Sequence, residues 1–261
     1  MAKKKATKKK VVTKVAKTVT SAELKQQVSK IRKLLTQRDY AVIDSGIELA
    51  RSLAEAAVFE ELLKGCTIKK GQLVNNKLFT GTDPAQPYLD CALLSLIAYA
   101  PEKTNLNKSL KCSNIKSLRL DNNGLVSTAP LAKFTNLESL DLTRCTSLQN
   151  VDGLASCTEL SSLYLWDCNS LQNVDGLTNC TKFTELDFGY CSSLQNVDGL
   201  ANCTKLTSLN LTACRSLQNV DGLTNCTKLT SLYLWHCDSL QNVDGLTNCT
   251  KFNNWGSGYT E

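Results

Sequence analysis

The sequence contains one histidine, His236, in 261 residues. A lone histidine outside any catalytic motif gives little support to nucleophilic or acid–base catalysis. Phosphate-binding loops, zinc-protease motifs, nucleophile elbows and dinucleotide fingerprints are all missing. The expectation is a protein that is not an enzyme and needs no cofactor. No apolar run approaches the roughly 18 residues of a membrane span, so a membrane is not an expected partner. The first 19 residues hold no acidic group and no apolar stretch of the kind found in a secretory signal, which points to the cytoplasm. Close pairs of the Cys-x-x-Cys type are also missing, and with them the usual zinc site.

Those first 19 residues carry eight lysines: Lys3, Lys4, Lys5, Lys8, Lys9, Lys10, Lys14 and Lys17. Their composition is that of a disordered tail with too little apolar surface to fold. The whole chain has 30 basic and 24 acidic residues; without the tail the basic residues number 22, a balance near −2. The basicity belongs to the tail and not to the body. Such a tail can bind phosphates loosely and without sequence preference, and it resembles linker-histone tails in texture. It has no interleaved aromatic residue on which bases would stack. A solubilising role, or contact with an acidic partner, fits it equally well.

Residues 20–110 read as a helical capping domain. Thr20 and Glu23 have the spacing of a capping box, and Leu24, Val28, Ile31 and Leu35 follow at helical intervals. Further helices are expected from Asp39 or Tyr40 to Leu53, from Glu55 to Lys64 before Gly65, and from Pro87 to Pro101. The stretch 66–86 is expected to be irregular.

From Leu137 to Lys251 one 23-residue pattern occurs five times, with copies beginning at Leu137, Leu160, Phe183, Leu206 and Leu229. It reads Leu-x-x-Leu-x-Leu-x-x-Cys-x-Ser-Leu-Gln-Asn-Val-Asp-Gly-Leu-x-x-Cys-Thr-x. A looser copy of 22 residues begins at Ile115. A fixed period of this size means stacked repeats, and the period-two leucines predict a strand in each copy of a parallel sheet. The return segment, with Asn, Asp and Gly, predicts a turn or 3-10 stretch and not a long helix.

Leu-x-x-Leu-x-Leu-x-x-Cys resembles the signature of leucine-rich repeats over residues 115–251, and the cysteine at position nine is similar to the cysteine-containing subgroup. The resemblance implies an α/β fold: six repeats in a right-handed, curved solenoid, strands on its concave side, short turns on its convex side, and protein recognition as the common use. An end of such an array needs a cap, which residues 20–110 would supply.

Ten of the 13 cysteines fall at two repeat positions: Cys145, Cys168, Cys191, Cys214 and Cys237, and Cys157, Cys180, Cys203, Cys226 and Cys249. Two buried columns of reduced thiols are expected, with no metal.

Aligned copies separate frame from variable surface. The variable concave positions are the fifth (Asp141, Tyr164, Asp187, Asn210, Tyr233), the seventh (Thr143, Trp166, Gly189, Thr212, Trp235) and the eighth (Arg144, Asp167, Tyr190, Ala213, His236). Large aromatics beside charges have the composition of a protein-binding hot spot. The candidate partner-binding set is Asp141, Arg144, Tyr164, Trp166, Asp167, Asp187, Tyr190, Tyr233, Trp235 and His236, for an unidentified protein partner. Plain copying would also yield the Ser-Leu-Tyr-Leu-Trp shared by the third and sixth repeats. The alternative candidate interface is nucleic acid at Lys3, Lys4, Lys5, Lys8, Lys9 and Lys10. The column Asp152, Asp175, Asp198, Asp221 and Asp244 could line up carboxylates for calcium, but an aspartate before glycine is more simply a turn residue bonding its own backbone.

At residues 252–261 the pattern restarts and stops. Phe252 and Trp255 fall where strand leucines would lie and should cover the last core. A monomer is expected, with the exposed final edge as the place for end-to-end association, blunted only by Gly256 and Gly258.

Overall fold

A computed structural model describes residues 20–35, 40–53, 55–69, 72–74, 86–101, 104–106, 108–121, 125–251 and 254–256. The lysine tail, Phe252 and Gly258 lie outside them. Four helices come first: α1 (Ser21–Leu35), α2 (Tyr40–Leu53), α3 (Ala56–Leu62) and α4 (Gln86–Tyr99). The expected capping box is formed: the Thr20 N–H donates to Glu23 Oε2 at 2.8 Å, and the Glu23 N–H donates to Thr20 Oγ1 at 3.3 Å. The Gly65 φ of 79° is the left-handed turn that ends the third helical segment.

Residues 66–86 are not wholly irregular. Strands β1 (Thr67–Lys69) and β2 (Gln72–Val74) pair antiparallel, with Ile68 opposite Leu73. Lys69 stands opposite Gln72. β2 lies beside the first strand of the array.

The array follows as β3 (Ser117–Arg119), β4 (Ser139–Asp141), β5 (Ser162–Tyr164), β6 (Glu185–Asp187), β7 (Ser208–Asn210), β8 (Ser231–Tyr233) and β9 (Asn254–Gly256), in one parallel sheet in chain order. Each strand pairs in register with the copy before it, Leu186 opposite Leu209 and Leu209 opposite Leu232. The leucines of positions one, four and six face inward: Leu206, Leu209 and Leu211 are fully buried. One apolar core runs without a break from Val28, Ile43, Leu94 and Ile97 of the helices into Ile115, Leu118 and the array. α4 is buried on several sides because it sits between α2 and the 3-10 segment Ala129–Lys133.

Each return segment contains a 3-10 turn at Asp-Gly-Leu, from Asp152–Leu154 to Asp244–Leu246. A second backbone ladder runs along these segments, one bond per repeat: Gln172 N–H to Gln149 O, Gln195 to Gln172 and Gln218 to Gln195, all at 2.9 Å.

The stub supplies a seventh strand, with Trp255 opposite Leu232 and Gly256 inside the strand and not blunting it. Coverage thins at this end. Val243 is 37% exposed, whereas its equivalents Val151, Val174, Val197 and Val220 are fully buried. Deleting residues 252–261 strips the pairing from β8 and should lower the melting temperature by several degrees and promote aggregation. A truncated protein that melts at the same temperature and stays monomeric in light scattering would show that β9 protects nothing.

Candidate functional site

The open face of the sheet carries the side chains between the buried leucines. Among the described residues, three of the five large hydrophobic ones more than about one-third exposed lie here: Tyr164, Tyr190 and Trp235, each close to half exposed. Trp166 is half-buried. Its ring meets Tyr190 edge-on at 5.5 Å and lies under the Arg144 guanidinium at 5.1 Å. Gly189 makes this possible: a Cβ there would stand 3.2 Å from Trp166 Cδ1 and 3.0 Å from Asn210 Nδ2.

The charged residues of this face divide into two groups. Toward the N-terminal side they are paired within the chain: Arg119 Nε lies 3.7 Å from Asp141 Oδ2 and its Nη2 3.5 Å from Asp121 Oδ1, and Arg144 Nε lies 3.8 Å from Asp167 Oδ2. Toward the middle, Glu185 and Asp187 have no Lys or Arg partner among the described residues. They line a shallow groove of about 470 Å³ with Ser162, Thr184, Ser208 and Asn210, walled by Tyr164 and Tyr233.

Position five has a structural use that the sequence did not show. Where it is Asx, the side chain closes the strand end: Asp141 Oδ1 accepts from the Thr143 N–H at 3.0 Å, Asp187 Oδ1 from Gly189 at 2.9 Å and Asn210 Oδ1 from Thr212 at 3.0 Å. Where it is Tyr, position seven is Trp. The copies therefore divide into a self-bonded Asx type and a Tyr-x-Trp type.

Position eight departs further from expectation. Arg144, Asp167, Tyr190, Ala213 and His236 all have φ between 58° and 64°. This left-handed turn directs the N–H of residue eight to the next repeat, as in Arg144 to Trp166 O at 2.8 Å and Tyr190 to Thr212 O at 2.7 Å. Five unlike residues share the conformation, so no residue type announces it, and no glycine relieves its cost of roughly 1–2 kcal/mol each. Ala213 is buried, not part of an open surface.

The aspartate column is corrected in the same way. The turn acceptor is the asparagine two residues earlier: Asn150, Asn173, Asn196, Asn219 and Asn242 accept from the Asp N–H at 3.1 to 3.3 Å. The aspartate carboxylates are exposed, and Asp198 is pushed up by burial first and then by Asp175 and Asp221. Among the described residues no group of three His, Cys, Asp or Glu could hold a metal.

Both cysteine columns are buried thiols that donate to carbonyls of the preceding repeat. Cys168 Sγ reaches Leu142 O at 3.1 Å, Cys191 reaches Leu165 O at 3.1 Å and Cys214 reaches Phe188 O at 3.2 Å. Cys180 Sγ lies 3.5 Å from both Leu154 O and Cys157 O. Asn179, Asn202, Asn225 and Asn248, which match a glycosylation pattern, likewise donate from Nδ2 to the carbonyls of Ala155, Thr178, Ala201 and Thr224. The tail lysines Lys3, Lys4, Lys5, Lys8, Lys9 and Lys10 are outside the described residues. No helix among those residues is long and apolar enough to cross a membrane.

Residues 128–241 match the model of the BspA type leucine rich repeat region, in six copies. Over these residues the chain is similar to the leucine-rich repeat family. Its solved structural neighbours include internalin C2 of Listeria monocytogenes, at 23% identity over 77% of this chain and 82% of that one, with a TM-score of 0.46. A functional domain of InlJ from Listeria monocytogenes, described as including a cysteine ladder, is 14% identical over 76% of this chain and 58% of that one, with a TM-score of 0.27. The mouse RP105/MD-1 complex gives 18% identity over 60% of this chain and 36% of that one, with a TM-score of 0.31. No curated protein matches the sequence.

Proposed function

We propose that the chain is a non-catalytic interaction module that holds a protein partner on the open, concave face of its sheet, in the cytoplasm. The observation that carries this reading is the exposure of Tyr164, Tyr190 and Trp235 on one face, where most other large apolar residues among those described are buried. Rigid aromatics bury much area at low entropic cost, so such a cluster is where binding energy concentrates. The family supports it at a coarse level, since leucine-rich repeats serve widely in protein recognition. Asp141 and Asp167 contribute less, because Arg119 and Arg144 already neutralise them.

The eight tail lysines support a second reading, loose association with nucleic acid. A pull-down with wild type, a deletion of residues 1–19 and a Trp166→Ala, Trp235→Ala double variant separates the two. Capture should survive the deletion and fall about 30-fold or more in the double variant, the equivalent of one hot-spot residue of 2 kcal/mol or above. Loss with the tail alone, steepening as salt rises, would overturn the proposal in favour of nucleic acid.

A further inference from the structure

We propose that the groove between Tyr164 and Tyr233 receives a lysine or arginine side chain from an extended segment of the partner; this rests on the reading of the sheet face as a protein-binding surface. The shape comes from position five. Tyr164 stands opposite Asp187, Asp187 opposite Asn210, and Asn210 opposite Tyr233. Three inter-strand steps of about 4.8 Å put the tyrosine backbones about 14 Å apart. Two short side chains lie between two long ones, and the result is a trough of about 470 Å³ with aromatic walls.

Its chemistry has one sign. The floor offers the carboxylates of Glu185 and Asp187, the hydroxyls of Ser162, Thr184 and Ser208, and the Asn210 amide, while no Lys or Arg lines it. Asp187 is held in place through Oδ1, which accepts from the Gly189 N–H and from Asn210 Nδ2, both at 2.9 Å. Its second oxygen has no bond among the described residues. Four carboxylates toward the N-terminal side of the array already have cations: Asp141 with Arg119, Asp167 with Arg144, Glu138 with Lys116 and Glu159 with Lys182. Among the described residues of the sheet face, acceptor capacity and negative charge remain uncompensated in this groove. Tyrosine faces add attraction for a cation, the interaction that Arg144 already makes over Trp166 at 5.1 Å. A neutral sugar would use the hydroxyls and the rings but would leave the two carboxylates unpaired.

The test is fluorescence anisotropy on the full chain near physiological salt. The probe is a labelled peptide of alternating arginine and serine; its counterpart carries citrulline at every arginine, with the same shape and no charge. The arginine peptide should bind at least tenfold more tightly. A Glu185→Gln, Asp187→Asn variant should abolish that difference. Asn210 occupies the same position one strand away and makes the same turn bond, so Asn is compatible with the fold there. An Asp221→Asn, Asp244→Asn variant removes equal charge from the return segments and should change nothing. Equal binding of the two peptides, or equal loss in both variants, would overturn the proposal. Binding of a neutral oligosaccharide that is lost in Tyr164→Ala, without arginine-peptide binding, would also overturn it. Partner capture that still depends on Trp166 and Trp235 would in that case leave the protein-binding reading standing.

Discussion

Raising the pH from 8 toward 11 should unfold the repeat array while reductant keeps every thiol free. Burial pushes Cys157 and Cys226 up to about 11, and Cys237 to about 11 as well. Burial first, and then neighbouring thiols of the column, push Cys180 and Cys203 to about 12. Cys214 is raised by burial, and Cys191 by its contact with Cys168 and then by burial. An unfolded chain ionises its thiols near about 8.5. The folded thiols resist, because a thiolate would sit in apolar surroundings and could no longer donate to the carbonyls of Leu165 or Phe188. A group whose folded pKa is raised contributes its stability fully below the unfolded pKa and loses it as pH climbs to the folded pKa. The window here runs from about 9 to about 12. Every tenfold weakening of a thiol's acidity on folding is worth about 1.4 kcal/mol. Several thiols weakened about a hundredfold or more can together offset the roughly 5–15 kcal/mol that a typical domain has. Melting curves by circular dichroism between pH 8 and 10.5 should show a fall of tens of degrees. A melting temperature unchanged from pH 8 to 10 would mean that the columns are wet.

Gly199→Ala should destabilise the array by about 3 kcal/mol or more, a large effect for a single methyl group. The added Cβ would lie 1.9 Å from Val174 O and 2.5 Å from Val174 C. Both atoms are backbone of the preceding repeat and cannot swing aside as a side-chain tip can. Gly176, Gly222 and Gly245 meet the same obstacle at 2.1 Å, from Val151, Val197 and Val220. The glycine is required by how closely successive 3-10 turns stack, and each repeat contacts only its neighbours. The array should therefore break in two at the site, with a broader guanidinium transition. Gly189→Ala is the contrast, since its obstacles are side chains at 3.0 to 3.2 Å, and it should cost less. Equal stability of Gly199→Ala and wild type would mean that the stacking distance is adjustable.

How much could be read in advance depended on whether the cause was local to one repeat. The period, the inward leucines, a turn or 3-10 stretch in place of a long helix in the return segment, and the Thr20–Glu23 capping box follow from spacing along the chain; the structure added that the 3-10 turn falls at Asp-Gly-Leu. The cysteine columns were also legible, because residues at one position of a stacked repeat must line up. By contrast, residues 67–74 carry no strong alternation, and their paired strands form beside β3, where a neighbouring strand makes an extended conformation favourable. The asparagine at position fourteen and the aspartate at sixteen both suit turns, and composition could not tell which side chain accepts the bond.

The candidate face shows the same division. The sequence alone determined that aromatic and charged residues alternate on the solvent side of a parallel sheet, because strand periodicity sets which residues point away from the leucines. Only the tertiary structure decided which of them are available. Arg144 covers Trp166 and pairs with Asp167, Asp187 closes its own strand end, Ala213 is buried, and Glu185 and Asp187 meet no cation among the described residues. Those outcomes depend on atoms 22 or 23 residues apart, brought within about 4.8 Å by stacking. The left-handed turn at position eight has the same origin: the bond that rewards it lies on the next repeat, not in the residue that adopts it.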